Sequence, residues 1–436
     1  MEYLRRVSLR LVSALMTGSL IVGGASRVAA DEIPVNTYTL DGQTDPSVAM
    51  DADGDFVITW ESYGQSGGST PINDIYAQRF DSNGDPAGVE FAVYAASYDQ
   101  RNPAVAMDGD GNFVVVFESG NFASNYQIWA WRYNSSGGFL GNQFITNDSI
   151  SKQFPAIAMA SGSGNFVVTW DSPDASVYGI YARRYKADGT PYDAIFPVNS
   201  TTAGNQTKSS VGMDNASNFA VVWEGQGGQD GDGIGVFGQM YTSNGTPSGS
   251  EFQVNTTTAG NQTNPSVTMS WNGRCVAVWE SSSGNGDLST YDVYAQLINL
   301  NGSLAGEEFR VNATTENYQG KPAVVMDAVG NILVAWSSQG QDGSLEGVYA
   351  RKFDWDGNPL SDEFRVNTTT AGSQTSSAVA ADLDTGSFVA AWQGPDASSD
   401  GIFLSWPLPV PEPDLLALGM AALATLASIG RRRPRH

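Results

Sequence analysis

Along most of the chain, apolar and polar residues alternate with a period of two. In Phe56-Val57-Ile58-Thr59-Trp60, the residues Phe56, Ile58 and Trp60 fall on one side and Val57 and Thr59 on the other. The β-branched and aromatic residues that fill such runs favour short antiparallel strands. Companion runs are Pro46-Ser47-Val48-Ala49-Met50 before it, then Ile75-Tyr76-Ala77-Gln78-Arg79-Phe80 and Glu90-Phe91-Ala92-Val93 after it. An Asp-Gly turn joins the first run to the second, and the polar stretch from Asp81 to Gly88 joins the third to the fourth; both are hairpin chemistry. Between the two termini no segment carries a helical period.

This four-strand pattern recurs. One strand ends in an aromatic residue at Trp60, Phe117, Trp170, Trp223, Trp279, Trp336 and Trp392, at intervals of 57, 53, 53, 56, 57 and 56 residues. A constant period of this size marks an array or a propeller. The seams decide between them. Fourth-strand copies begin at Glu90, Gln143, Ile195, Glu251, Glu308 and Glu363, one fewer than the other strands, and the last unit ends at Ile402–Trp406 without one. The missing copy, Glu32-Ile33-Pro34-Val35-Asn36, stands near the start of the chain. If it completes the last sheet, the ring closes and no edge strand is left open. The sequence therefore predicts an all-β, seven-bladed β-propeller over residues 31–406, closed by an N-terminal strand. The alternative is a linear array of small β-sandwiches, for which units of this length are short.

The termini differ from this body. Residues 1–30 carry Arg5, Arg6 and Arg10, an apolar stretch from Leu11 to Val22, and small residues up to Ala30, the layout of a secretory signal peptide cut after Ala30. At the other end, a Pro-rich linker over 407–414 contains Val410, Pro411, Glu412 and Pro413. An apolar segment over 415–430 and a basic tail over 431–436 follow, the tail with Arg431, Arg432 and Arg433. The segment predicts a helix slightly short for a bilayer, its end held on the cytoplasmic side by the arginines; an ordinary single-span anchor would read the same way.

Pro-Glu-Pro, an apolar helix and a terminal arginine cluster, in this order, resemble the PEP-CTERM sorting signal of exopolysaccharide-producing bacteria. The resemblance implies transient anchoring in the inner membrane, recognition by an exosortase-like processing enzyme, and delivery to the outer surface or extracellular matrix. The repeats also resemble those of large secreted bacterial surface proteins, some adhesin-like. The stretches that carry this likeness are Phe-Val-Val-Thr-Trp from Phe166, Gly-Gln-Asp-Gly from Gly340, Val-Tyr-Ala-Arg-Lys-Phe-Asp from Val348, and Glu-Phe-Arg-Val-Asn-Thr-Thr-Thr-Ala-Gly from Glu363.

Charge and composition narrow the chemistry. With the four arginines of the leader and the four of the tail set aside, 14 of the 22 Lys and Arg remain in the body, against 43 of the 46 Asp and Glu, for a net charge near -29. Such a body repels nucleic acid. The single histidine is His436 and the single cysteine Cys275. A Ser-His-Asp triad, a Cys-His dyad, histidine zinc sites and an internal disulfide are thereby excluded from the body. Carboxylate catalysis and oxygen-ligand metals survive.

No cofactor is required; calcium is the ion the sequence admits, at Asp51 and Asp53 and at Asp108 and Asp110, in the turn before the second strand. The acid pair of this turn is broken in the other five units, where only Asp214 and Asp327 keep the first acid, while its glycine is kept in six of seven, as Gly54, Gly111, Gly164, Gly273, Gly330 and Gly386. That favours a structural turn. A polar face is predicted where second strands end, carrying Gln229, Asp230, Gln341, Asp342, Asp174 and Asp396 beside the Thr-Thr-Ala-Gly-Asn-Gln runs at 201–206 and 257–262; it is a candidate surface for sugar hydroxyls or protein loops, with solvated turns as the plain reading. Cys275, at a position held by phenylalanine in sister units, and the recurring tryptophans are read as core.

These features lead to the expectation of a non-enzymatic, exported surface or matrix protein whose propeller contacts polysaccharide or envelope protein. The alternatives are a carbohydrate-active enzyme working with carboxylates alone, and a calcium-stabilised repeat protein.

Overall fold

The computed structural model describes residues 32–408 apart from 68–70, 96–97, 121–124, 147, 175–176, 283–289 and 383–384. Ala30 and the predicted sorting motif, Val410 to Pro413 with Arg431, Arg432 and Arg433, lie outside the described residues, as do the predicted leader and the apolar segment over 415–430.

Seven four-stranded antiparallel sheets form a seven-bladed β-propeller, and every element among the described residues is a strand. Blade 1 is built from Gln43–Met50, Phe56–Tyr63, Asn73–Phe80 and Phe91–Tyr94. Blades 2 to 6 repeat it over 99–144, 153–197, 206–253, 262–310 and 319–365. Blade 7 takes Thr375–Ala381, Phe388–Pro395 and Asp400–Ser405 from the end of the chain and Ile33–Pro34 from its start. Ile33 pairs with Leu404 and Pro34 with Phe403. The Val35 N–H donates to the Ile402 carbonyl at 2.8 Å, and the Ile402 N–H donates to Oδ1 of Asn36 at 2.6 Å. The seam predicted from the missing strand is the seam observed, and the sandwich array is excluded.

Alternation along each second strand sends side chains into the two interfaces with neighbouring blades, so the core lies between sheets. Trp60, Trp170, Trp223, Trp279, Trp336 and Trp392 are fully buried, and Phe117 takes the same place in blade 2. Between blades 7 and 1, Phe56, Ile58 and Trp60 pack on Val389, Ala391, Ile402 and Leu404. Burial of one such phenylalanine is worth roughly 1.5–3 kcal/mol, so each interface is a small core in itself. Cys275 lies wholly inside the interface of blades 4 and 5, and burial pushes its thiol up, as expected of an apolar core thiol. The body extends two residues past Trp406: the Leu408 N–H donates to the Phe388 carbonyl at 2.7 Å and its side chain is buried, although the sequence assigns it to the linker.

One irregularity repeats in every blade. The pairing of first and second strand slips between Thr44 and Ser47 in blade 1, and equivalent bulges follow in the other six. At each bulge one residue adopts a left-handed backbone: Asp45, Asn102, Phe154, Lys208, Asn264, Lys321 and Ser376, with φ between 50° and 54°. In five blades proline follows, as Pro46, Pro103, Pro155, Pro265 and Pro322. Proline cannot donate to a ladder, which fixes the bulge there.

Candidate active site at the channel mouth

The first strands line a central channel. Its far part, where they end, is an apolar cavity of about 720 Å³ walled by valines and by Met50, Met107, Met159, Met213, Met269 and Met326. Its near part, where they begin, is a cavity of about 520 Å³ lined by the seven bulge residues and those that follow them. Non-glycine residues in the left-handed region cost of order 1 kcal/mol each and need support.

That support comes from a ring of acids. The residue after the aromatic of each second strand is Glu61, Glu118, Asp171, Glu224, Glu280, Ser337 and Gln393 in blades 1 to 7. Each acid reaches the bulge of the next blade. The N–H of Asn102 donates to Oε1 of Glu61 at 2.6 Å, that of Phe154 to Oε1 of Glu118 at 2.7 Å, that of Lys208 to Oδ2 of Asp171 at 2.9 Å and that of Asn264 to Oε1 of Glu224 at 2.7 Å. Glu280 holds the Lys321 N–H in the same way, and in blade 7 Oε1 of Gln393 accepts from Asp45 at 3.1 Å. The five acids are buried just behind the mouth.

Burial raises the carboxyl groups of four of them. Glu61 is pushed up to about 8, chiefly by desolvation, against the Asn102 N–H and with repulsion from Asp45, Asp99 and Glu118. Glu118 and Glu280 are raised for the same reason, opposed by hydrogen bonds from Arg101 and Tyr318 respectively. Asp171 is raised well above the carboxylate range. Its Oδ1 closes no hydrogen bond, although the Ser209 N–H lies beside the carboxylate. Buried acids whose carboxyl groups are raised, next to charged neighbours, are a physical signature of candidate proton donors.

Basic side chains stand among them. The Lys208 ammonium is 3.1 Å from Oε1 of Glu224 and donates to Oδ1 of Asn264 at 2.7 Å. Arg101 donates from Nε to Oε2 of Glu118 at 2.8 Å and lies 3.8 Å from the Tyr126 ring centre. Two tyrosines join acids here: Tyr126 donates to Oδ2 of Asp99 at 3.0 Å, and Tyr318 donates to Oε2 of Glu280.

The predicted polar face is this same face, but its residues sit out along the blades and serve their own loops. Gln229 and Gln341 donate to Glu251 and Glu363, and these glutamates accept N–H groups of the preceding blade's loop, from Ser200 and Ala313. Asp230, Asp342, Asp174 and Asp396 accept backbone N–H groups two or three residues ahead. The Thr-Thr-Ala-Gly-Asn-Gln runs supply interior structure, with Nδ2 of Asn255 on Oε1 of Gln262 at 3.1 Å.

The calcium candidates lie at the opposite end. Asp51 accepts N–H groups of Asp53 and Asp55, both at 2.9 Å, and burial pushes it up to about 6. Asp108 likewise accepts from Asp110 at 3.0 Å and Asn112 at 2.9 Å. Among the described residues, no group of three or more His, Cys, Asp or Glu is placed to hold a metal ion.

Sequence reasoning missed the acid ring. Its signal was present, an acid directly after the aromatic in five units of seven, but attention to turn acids passed over acids inside strands.

No protein-family model and no curated protein matches the chain. Solved structures do match, and several of them are enzymes acting on carbohydrate. An ulvan lyase bound to a glucuronate and rhamnose-3-sulfate saccharide superposes with a TM-score of 0.57 at 10% identity, over 90% of this chain and 98% of that one. The α-L-arabinofuranosidase of Fusarium graminearum, solved with arabinobiose, superposes at 0.50 and 10% identity, over 87% and 97%. A protein of unknown function from Dyadobacter fermentans superposes at 0.53 and 10% identity, over 87% and 98%. At this identity the likeness establishes the propeller fold. The enzymes among these neighbours overturn the expectation of a non-enzymatic contact protein, and with it the adhesive role; the carboxylate-enzyme alternative is the one they favour.

Proposed function

We propose that this chain is a carbohydrate-active enzyme that cleaves a polysaccharide at the channel mouth with carboxyl groups. The observation that carries the reading is Lys208 seated between two buried acids, its N–H on Oδ2 of Asp171 at 2.9 Å and its ammonium 3.1 Å from Oε1 of Glu224. Cleavage of a glycosidic bond needs one carboxyl that donates a proton and one that acts as base or nucleophile, distinguished by environment. Asp171, whose carboxyl is raised by burial, is assigned as the acid. Glu224, ion-paired to Lys208, is assigned as its partner.

Reducing-end release from arabinan, ulvan and the producing cell's own polysaccharide tests the reading. Asp171→Asn and Glu224→Gln are expected to lower the rate by at least about 100-fold with the fold retained. Rates unchanged by both, or products carrying the ultraviolet absorbance of an unsaturated uronate, would reject this assignment.

We also propose that the chain is exported, held briefly in the inner membrane by its apolar tail, and released by an exosortase-like enzyme to the cell surface or matrix. Support comes from the order of leader, Pro-Glu-Pro, apolar segment and arginines. Mass spectrometry of the native protein, reading both termini, tests it: intact ends would reject it.

A further inference from the structure

The mouth breaks the sevenfold repeat in charge as well as in chemistry. Lys208 and Lys321 occupy the same bulge position on either side of Asn264, with the same backbone conformation. Lys208 is tied to Glu224 and Asn264. Lys321 is different. The acid ring fails next to it, where Ser337 and Gln393 replace carboxylates. Its ammonium donates to the hydroxyl of Thr375 at 3.0 Å, itself 2.9 Å from Oγ of Ser337, and it makes no ion pair among the described residues. Its charge favours ionisation of Asp45 across the mouth. In a body with 43 acids and 14 basic residues, an exposed lysine at the rim of the central cavity thus closes no ion pair among the described residues. Arg101, the third cation nearby, is already occupied by Glu118 and Tyr126.

From this arrangement we infer that the mouth takes an anionic polysaccharide, whose carboxylate or sulfate group docks between Lys208 and Lys321 above the Asn264 amide. The inference rests on the reading of the mouth as the active site. The Lys321 ammonium, which makes no ion pair among the described residues, is the main charge-assisted donor to the oxyanion, with Lys208, already paired with Glu224, on the other side of Asn264, and an acidic surface elsewhere would keep the polymer off other sites.

The test is calorimetric titration of the full chain with polygalacturonate, dextran sulfate, arabinan and dextran, at about 50 and about 200 mM salt, with cleavage followed in parallel. Polygalacturonate or dextran sulfate is expected to bind, more weakly at the higher salt, and the preferred one identifies the acid group. Lys321→Met is expected to weaken that binding about tenfold, the worth of one charge-assisted contact, and Lys321→Arg to restore most of it. Lys208→Met, checked for folding by its melting temperature, should add a further loss. Lysine-dependent binding without cleavage of these polymers, of ulvan or of the producing cell's own polysaccharide would leave anion binding at the mouth standing and remove the enzymatic reading. Cleavage of neutral polymer alone would do the reverse. Polyanion binding indifferent to Lys321→Met, or no polyanion binding at all, overturns the inference.

Discussion

Arg101 and Glu118 form an ion pair at 2.8 Å in which one side chain is 38% exposed and the other entirely buried. The asymmetry gives the pair its consequence. Glu118 also accepts from the Phe154 N–H and from Nδ2 of Asn102, so it fixes the strained bulge of the next blade while Arg101 supplies the charge that lets it sit in the interior.

Replacing Arg101 with Met should therefore cost more than a surface ion pair. Removing one partner of a wholly buried pair costs about 3–5 kcal/mol, and partial exposure of the arginine reduces this to about 2 kcal/mol at neutral pH. Adding Glu118→Gln to the Arg101→Met background should recover about half, because the amide keeps an acceptor for the Phe154 N–H without a buried charge. Denaturant unfolding of the two single variants and the double variant checks this; additive losses would contradict it.

The acid ring sets a pH dependence. The folded value of Glu61 is about 8 against an ordinary 4.5. Between these values the folded protein holds a proton that the unfolded chain releases, so this group's contribution to stability is full below pH 4.5 and falls as pH rises towards 8. The slope from one such group is at most about 1.4 kcal/mol per pH unit. Glu118, Asp171 and Glu280, raised in the same direction, add to it. Denaturation midpoints measured from pH 5 to 9 should decline, and Glu61→Gln should flatten the decline without abolishing it. Stability that rises with pH across this window would refute the assignment.

Blade 4 lacks the turn glycine of its sisters. Where Gly54, Gly111 and Gly273 have φ of 89°, 83° and 91°, Ser217 is held at 64°. Its hydroxyl gains only contacts of 3.4 and 3.5 Å, with Ser163 and Asn165. Ser217→Gly should thus stabilise the protein by about 0.5–1 kcal/mol, since the left-handed conformation no longer opposes a Cβ. A small rise in melting temperature is the expected readout; a fall would mean that the serine contacts outweigh the strain.

The ring of blades was legible because its determinants are local and repeated seven times. An aromatic closing each second strand, a turn glycine and an absent fourth strand each report directly on backbone geometry. The mouth was not legible for the opposite reason. Asp171, Lys208 and Glu224 stand 37 and 16 residues apart in sequence, and only the lateral packing of neighbouring blades brings them together. Sequence favoured acids in turns, such as Asp230 and Asp342, which the fold uses to make the turns themselves. Protonation was likewise out of reach, because desolvation depends on what covers Glu61 and Asp171, not on the residues adjacent to them.

Closure of the ring gives the last prediction. Oε2 of Glu32 accepts from the N–H and hydroxyl of Thr368 at 3.0 and 2.9 Å and from the Thr369 N–H at 3.0 Å. The same latch joins blades within the chain, through Glu251 to Ser200 and Thr201, Glu308 to Thr256 and Glu363 to Ala313. Only the Glu32 latch joins the two ends, bridging 336 residues of sequence. Because it is exposed, Glu32→Ala should cost about 1–2 kcal/mol, the range for hydrogen bonds to a charged acceptor with solvent able to substitute. Glu308→Ala, a latch between blades already joined in sequence, should cost a similar amount at equilibrium. Kinetics should separate them. Opening at Glu32 releases an edge of blade 7, so Glu32→Ala should accelerate unfolding and proteolysis near the N-terminus more than Glu308→Ala does. Equal unfolding rates for the two variants would mean that the ring does not open at its seam.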